Sequence, residues 1–141
     1  MKAELCFEYP TNILGHIVSW FTWSEFSHAF LKVGNQIYEA DPFHGVRIIP
    51  YDERNYESIE IDINENVLKF IEERIGVRYD YSAIVGFILR RDDWHNERAW
   101  FCSELIASAL EYSDLKITSR KTNRIAPDDL YHAALKYKRY N

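Results

Sequence analysis

Residues 2–9 alternate in polarity, with Ala3, Leu5, Phe7 and Tyr9 on one side and Cys6 on the other, until Pro10 ends the pattern. That period of two predicts a strand. Over 12–21 the apolar residues Ile13, Leu14, Ile17, Val18 and Phe21 recur at helical spacing and predict a short amphipathic helix. Four β-type segments follow over 27–33, 36–40, 46–49 and 58–63. They are separated by Gly34-Asn35, by the turn-rich stretch 41–45 and by 50–57.

Beyond Asn64 the period changes. Val67, Leu68, Phe70, Ile71 and Ile75 form a helical stripe with Gly76 placed as its stop. A second helix is expected from Asp80 through Leu89, a polar loop over 90–98, a third helix from Phe101 to Tyr112 and a last one from Pro127 to Lys136. Strands first and helices after, without internal repeats, predict an α+β domain covering 1–141, its helices packed on a mostly antiparallel sheet.

Composition narrows what such a domain does. Over 141 residues, 47% hydrophobic and 28% charged side chains match a globular chain and exclude a disordered or fibrous one. With 17 basic against 22 acidic residues the net charge is −5, which argues against nucleic acid as a partner. A local excess of Lys and Arg over 114–141 reads as a solvated face. No apolar run reaches the roughly 18 residues of a membrane span. Acidic residues occupy the stretch where a signal peptide would be apolar, so cytoplasmic synthesis is expected. Aromatics are the outlying class: Trp 4, Tyr 10 and Phe 8, against 5 Gly and 4 Pro, to fill a core or line a pocket.

The two cysteines, Cys6 and Cys102, cannot form a disulfide scaffold, and no CxxC or HxxxH spacing marks a metal site, so no cofactor is expected. Cys102 falls where a helix begins, and there the helix dipole and free amides favour a thiolate. It also shares a helix face with Leu105, Ile106 and Ala109, the pattern of an inert core thiol. Cys6, opposite the apolar face of its strand, is expected to be inert.

If Gly34-Asn35 closes a two-residue hairpin, residue i faces residue 69 − i across the ladder. His28, Glu39 and Asp41 then share one sheet face, with Glu39 diagonal to His28 and within reach of its ring. Asp41 precedes Pro42 and is expected to leave the strand, which makes Glu39 the orienting acid. His44 lies in the following loop and reads as a surface residue, while His16, His95 and His132 have no evident partner. Asp128 and Asp129 read as first-turn acids of the last helix.

The stretches Ser27-His28-Ala29, Ile37-Tyr38-Glu39-Ala40, Gly45-Val46-Arg47 and Phe101-Cys102-Ser103-Glu104-Leu105 resemble the circularly permuted papain-like hydrolases of the NlpC superfamily. The likeness is in particular to the YiiX type and its small phage-encoded relatives, in which the histidine strand precedes the cysteine helix. The likeness runs from about residue 24 to 134 and takes in Tyr79-Asp80-Tyr81 as a helix entry and residues 126–131 at the last helix.

The resemblance implies a permuted papain-like fold with Cys102 as nucleophile, His28 as general base and Glu39 as the group orienting it. It also implies a peptide or amide substrate such as peptidoglycan, and association with a phage particle. The Gly-Asp pair that relatives carry ahead of the histidine strand is missing, leaving the second oxyanion donor unassigned. Two other functions remain open. One is a lipid acyltransferase or thioesterase on the same fold, although such relatives carry Asn-Cys-Glu-His where this chain has Phe101-Cys102-Ser103-Glu104. The other is a structural or binding component that keeps the fold without catalysis.

Overall fold

The computed structural model describes residues 1–12, 16, 24–80, 99–122 and 125–140. Five strands, β1 (Lys2–Glu8), β2 (His28–Val33), β3 (Gln36–Asp41), β4 (Gly45–Pro50) and β5 (Tyr56–Asp62), form an antiparallel sheet in the order β4-β3-β2-β1-β5. Helix α1 (Glu65–Glu72) follows, then the short strands β6 (Arg78–Tyr79) and β7 (Ala99–Trp100), which pair in parallel. Helices α2 (Cys102–Tyr112) and α3 (Pro127–Tyr140) complete the described elements. The α+β class and the mostly antiparallel sheet agree with the sequence pattern. Among the described residues no helix is long and apolar enough to cross a membrane.

The β2–β3 register is Leu31↔Tyr38, Lys32↔Ile37 and Val33↔Gln36, the one expected from a two-residue turn. Gly34 has φ 57 and Asn35 is not left-handed, the pattern of a type II′ hairpin. Several boundaries differ from the sequence pattern. Helix α1 ends at Glu72, three residues short of Ile75, because residues 73–76 turn back so that the Gly76 N–H donates to the Val46 carbonyl at 2.8 Å. Tyr79, expected at a helix entry, is in a strand, while α3 continues four residues past Lys136 through the helix formers Lys138 and Arg139, which also suit the negative end of the dipole. The helices expected over 12–21 and 80–89 and the loop over 90–98 lie outside the described residues, apart from Asn12, His16 and Asp80.

Period-two alternation sends Ala3, Leu5 and Phe7 of β1, Ala29 and Leu31 of β2, and Tyr38 and Ala40 of β3 to one face. There they pack with Leu105, Ile106, Ala109 and Leu110 of α2, Val67 and Ile71 of α1, and Leu130 and Ala134 of α3. The reverse face carries a second cluster of Cys6, Phe30 and Ile37, flanked by Ile49 and Tyr56.

β4 and β5 lie at opposite edges of the sheet and point the same way, so residues 51–55 must return diagonally across it. On a flat sheet, with strands about 4.8 Å apart and a rise of about 3.3 Å per residue, the ends of this connection would be roughly 25 Å apart. Six extended steps cover only about 21 Å. The sheet therefore curls, and the strap crosses the reverse face. Tyr51 lies under Lys32 at 5.1 Å, Arg54 sits over the Phe30 ring at 5.1 Å, and Tyr56 meets Phe30 edge-on at 5.3 Å.

Gly45 lies at the closest backbone approach. Its φ is +71, and a Cβ there would come 2.2 Å from the Val77 carbonyl oxygen, whereas nothing lies within 4 Å of a Cβ on Gly34. Both alanine variants carry the left-handed backbone cost of about 1–3 kcal/mol. Gly45→Ala adds displacement of the β6 approach, so its urea midpoint is expected to fall clearly below that of Gly34→Ala. Equal losses would remove the steric argument.

Candidate active site

Cys102 is the first residue of α2, preceded by Phe101 in extended conformation as N-cap. The Glu104 carboxylate accepts the Phe101 N–H at 3.4 Å, and the buried Ser103 hydroxyl donates to the Ile125 carbonyl, so both sides of the helix start are fixed. The first amides of a helix have no partner within it, which leaves the Cys102 N–H at the electropositive end of α2.

His28 opens β2 opposite Glu8 of β1. Its ring shares the reverse face with Phe30, 6.2 Å away and nearly parallel. Cys102 leads a helix packed on the other face, close enough for its sulfur to act electrostatically on the imidazole. Nε2 of His28 lies 2.7 Å from Oε2 of Glu39, which leaves Nδ1 for the thiol. The structure thus brings together the three residues singled out in the sequence.

Glu39 is completely buried, with two arginines on its carboxylate. Arg47, opposite it on β4, donates from Nε at 2.9 Å to Oε1 and has Nη2 at 2.8 Å from the same oxygen. Arg54 of the strap donates from Nη1 to Oε2 at 2.7 Å and from Nη2 to Oε1 at 3.2 Å. Neither arginine was assigned a role from sequence. Arg47 could have been found by carrying the ladder one strand further, since it faces Glu39 directly. Arg54 could not, because no periodic rule describes the strap.

Asp41, expected to leave the strand before Pro42, stays the last residue of β3 opposite Gly45, and its carboxylate holds the β3–β4 turn. Its Oδ2 accepts the N–H groups of Phe43 and His44 at 3.0 and 2.9 Å and meets His44 Nδ1 at 2.7 Å, while Oδ1 accepts from Arg47 at 3.2 Å. His44 is exposed, as expected for a surface residue. His132, without an evident partner in the sequence, lies 3.4 Å from Asp128 one helical turn earlier. Asp129 accepts the Ala126 N–H at 3.1 Å, a first-turn acid as anticipated. Cys6 is buried beneath the strap, and burial pushes its thiol up to about 12. His95 lies outside the described residues. Among those residues no group of three or more metal-ligating side chains comes together.

A cleft of about 320 Å³ opens beside His28, lined by Ser27, Asp41, Phe43, Arg54 and Tyr79 among others. Phe43 stands at its mouth, 75% exposed, while Cys102 does not reach its wall.

Burial alone would strip His28 of its proton, but the hydrogen bonds to Cys102 and then Glu39 outweigh it and raise the imidazole from 6.5 to about 10. Burial likewise opposes the Glu39 carboxylate, yet the hydrogen bond from His28 and those from Arg54 hold it well below the usual carboxylate range. The signs of the stability contributions follow. Stability from Glu39 is present above its ordinary value of 4.5 and is lost as pH falls below it. Stability from His28 is complete below 6.5 and is lost as pH rises through about 10. The melting temperature is expected to be highest between these ordinary values, with Glu39→Gln weakening the acid limb selectively. An acid limb unchanged in that variant would assign it to other carboxylates.

No protein-family model matches the chain, and no curated protein matches it.

Proposed function

We propose that the chain is a cysteine hydrolase of permuted papain-like fold that cleaves an amide or peptide bond. The observation that carries this reading is an imidazole bonded through Nε2 to a buried carboxylate, with the sulfur of a helix-start cysteine acting on the same ring. Such an arrangement supports acyl transfer. The Cys102 sulfur, its proton held by His28, bonds to the carbonyl carbon, and the carbonyl oxygen takes up the negative charge opposite the Cys102 N–H. The C–N bond then breaks, the amine leaves with the proton from His28, and a thioester remains. A water gives a proton to His28 and its oxygen displaces the sulfur, releasing the acid. Glu39 keeps the ring oriented throughout. The substrate is a peptide, with cell-wall peptide and a phage particle as the setting by resemblance.

A specific observation favours a second reading. Cys102 is 0% exposed and lies off the cleft wall, as suits a docking module that retains the fold. The two separate on incubation with cell-wall peptides followed by denaturing mass spectrometry. The hydrolase releases new amines and carries an acyl group on Cys102, and Cys102→Ala does neither. Peptide binding without cleavage, unchanged in Cys102→Ala, would favour docking.

A further inference from the structure

Arg54 is the most heavily engaged cation at the site, and it arrives from the strap rather than from the ladder that positions His28 and Glu39. All five of its N–H donors point to carboxylates. Nε donates to Asp52 Oδ1 at 2.6 Å, and Nη2 to Asp52 Oδ2 and Glu39 Oε1, both at 3.2 Å. Nη1 donates to Glu39 Oε2 at 2.7 Å and to Glu8 Oε2 at 3.5 Å. The guanidinium is therefore two forks back to back, one closed on Asp52 and one on Glu39, with its flat face over Phe30. It lines the cleft yet has no donor left for a substrate.

The fork on Glu39 decides which way the carboxylate faces. A carboxylate turns readily about its last bond, and an imidazole can orient only against an oxygen that stays in place. By bridging both oxygens, Arg54 fixes the carboxylate plane, Arg47 occupies Oε1 from the opposite strand, and the remaining approach to Oε2 belongs to His28 Nε2. The Asp52 fork anchors Arg54 within its own strap.

We propose that Arg54 is a positioning residue, holding the plane of Glu39 so that His28 presents Nδ1 to Cys102. This deepens the cysteine-hydrolase reading and rests on it. Arg54 acts through its fork geometry rather than its charge. Lysine, with three donors on one atom, cannot close two forks.

The test uses two readouts that need no substrate. One is the rate of Cys102 alkylation by iodoacetamide, followed by peptide mapping. The other is the titration of His28 by its side-chain ¹⁵N shifts. His28 titrates among Cys102 of α2, Glu8 of β1, Glu39 and Asp41 of β3, Arg47 of β4 and Arg54 itself, and Arg54→Lys leaves the charge of all of them unchanged. Arg54→Lys is expected to slow alkylation about tenfold or more, as misplacement of a reacting group does, and to lower the His28 midpoint. Arg54→Gln is expected to slow alkylation at least as much.

Rescue by lysine of both readouts would overturn the proposal and leave a charge effect. Wild-type readouts in both variants, with only the melting temperature lowered, would reduce Arg54 to a structural tie. If the Gln variant does not fold, the Lys variant decides alone. Glu39→Gln separates this failure from failure of the functional reading: should it abolish the His28 shift and slow alkylation while the Arg54 variants do not, the Cys102–His28–Glu39 site stands and only the role of Arg54 falls.

Discussion

Glu39→Ala is expected to destabilise the protein more than any other single change at the site, by about 3–5 kcal/mol in urea. The carboxylate is 0% exposed and accepts from two guanidinium groups and an imidazole. Its removal leaves three cationic groups facing a cavity, with Arg54 only 11% exposed and unable to regain full hydration. Arg47, at 25% exposure, can turn partly to water, which places the loss toward the lower end of that range. Glu39→Gln keeps the volume and one acceptor and is expected to lose less. A loss below about 1 kcal/mol for the alanine variant would mean that the arginines find other carboxylates, Asp41 and Asp52 being nearest, and that Glu39 is no keystone.

His28→Ala is expected to cut the rate at which iodoacetamide labels Cys102 near neutral pH by about a hundredfold, the lower range for loss of a positioned proton-transfer group. Cys102 and Glu39 raise His28 to about 10, so the ring stays charged across the neutral range. Cys6 is the internal control. Raised to about 12 by burial, it is expected to stay unlabelled until the protein unfolds. Equal, slow labelling of Cys102 in wild type and His28→Ala, with Cys6 no slower, would mean a thiol gated by burial alone and would return the chain to the docking reading.

What the sequence disclosed depended on whether a local rule applied. The hairpin at Gly34 converts two strands into a register by arithmetic, and that register put both Glu39 and Asp41 on the face of His28, where Glu39 is the one that bonds it. Pro42 did not release Asp41, which remains the last residue of β3 opposite Gly45; it is its carboxylate that is taken up by the Phe43 and His44 amides. Cys102 at a helix start followed from the apolar stripe of α2. Missed features depended on chain crossing. That β1 would lie between β2 and β5, and that 51–55 would carry Arg54 onto Glu39, is fixed by which edges pair at long range, and periodicity does not encode it. The parallel pair β6–β7 escaped for a similar reason: two residues per strand give no period, and tertiary contacts such as the Val46 bonds to Val77 and Gly76 hold it beside the sheet.

The taut strap also bears on the order of assembly. β2, β3 and β4 form a meander of neighbours in sequence, so their pairing requires only short loops to close. β5 pairs with β1 across the intervening chain 9–55, and the strap can reach only after the meander has curled. β1–β5 pairing is thus expected to be the slow, late event of sheet formation, with the segment that delivers Arg54 joining last. An intermediate with the meander complete would already hold His28 and Glu39 on one surface, while the fork that fixes the carboxylate would still be swinging free. The site would therefore mature with the final closure of the sheet, and a nascent or partly opened chain would carry the right residues in an unlocked arrangement.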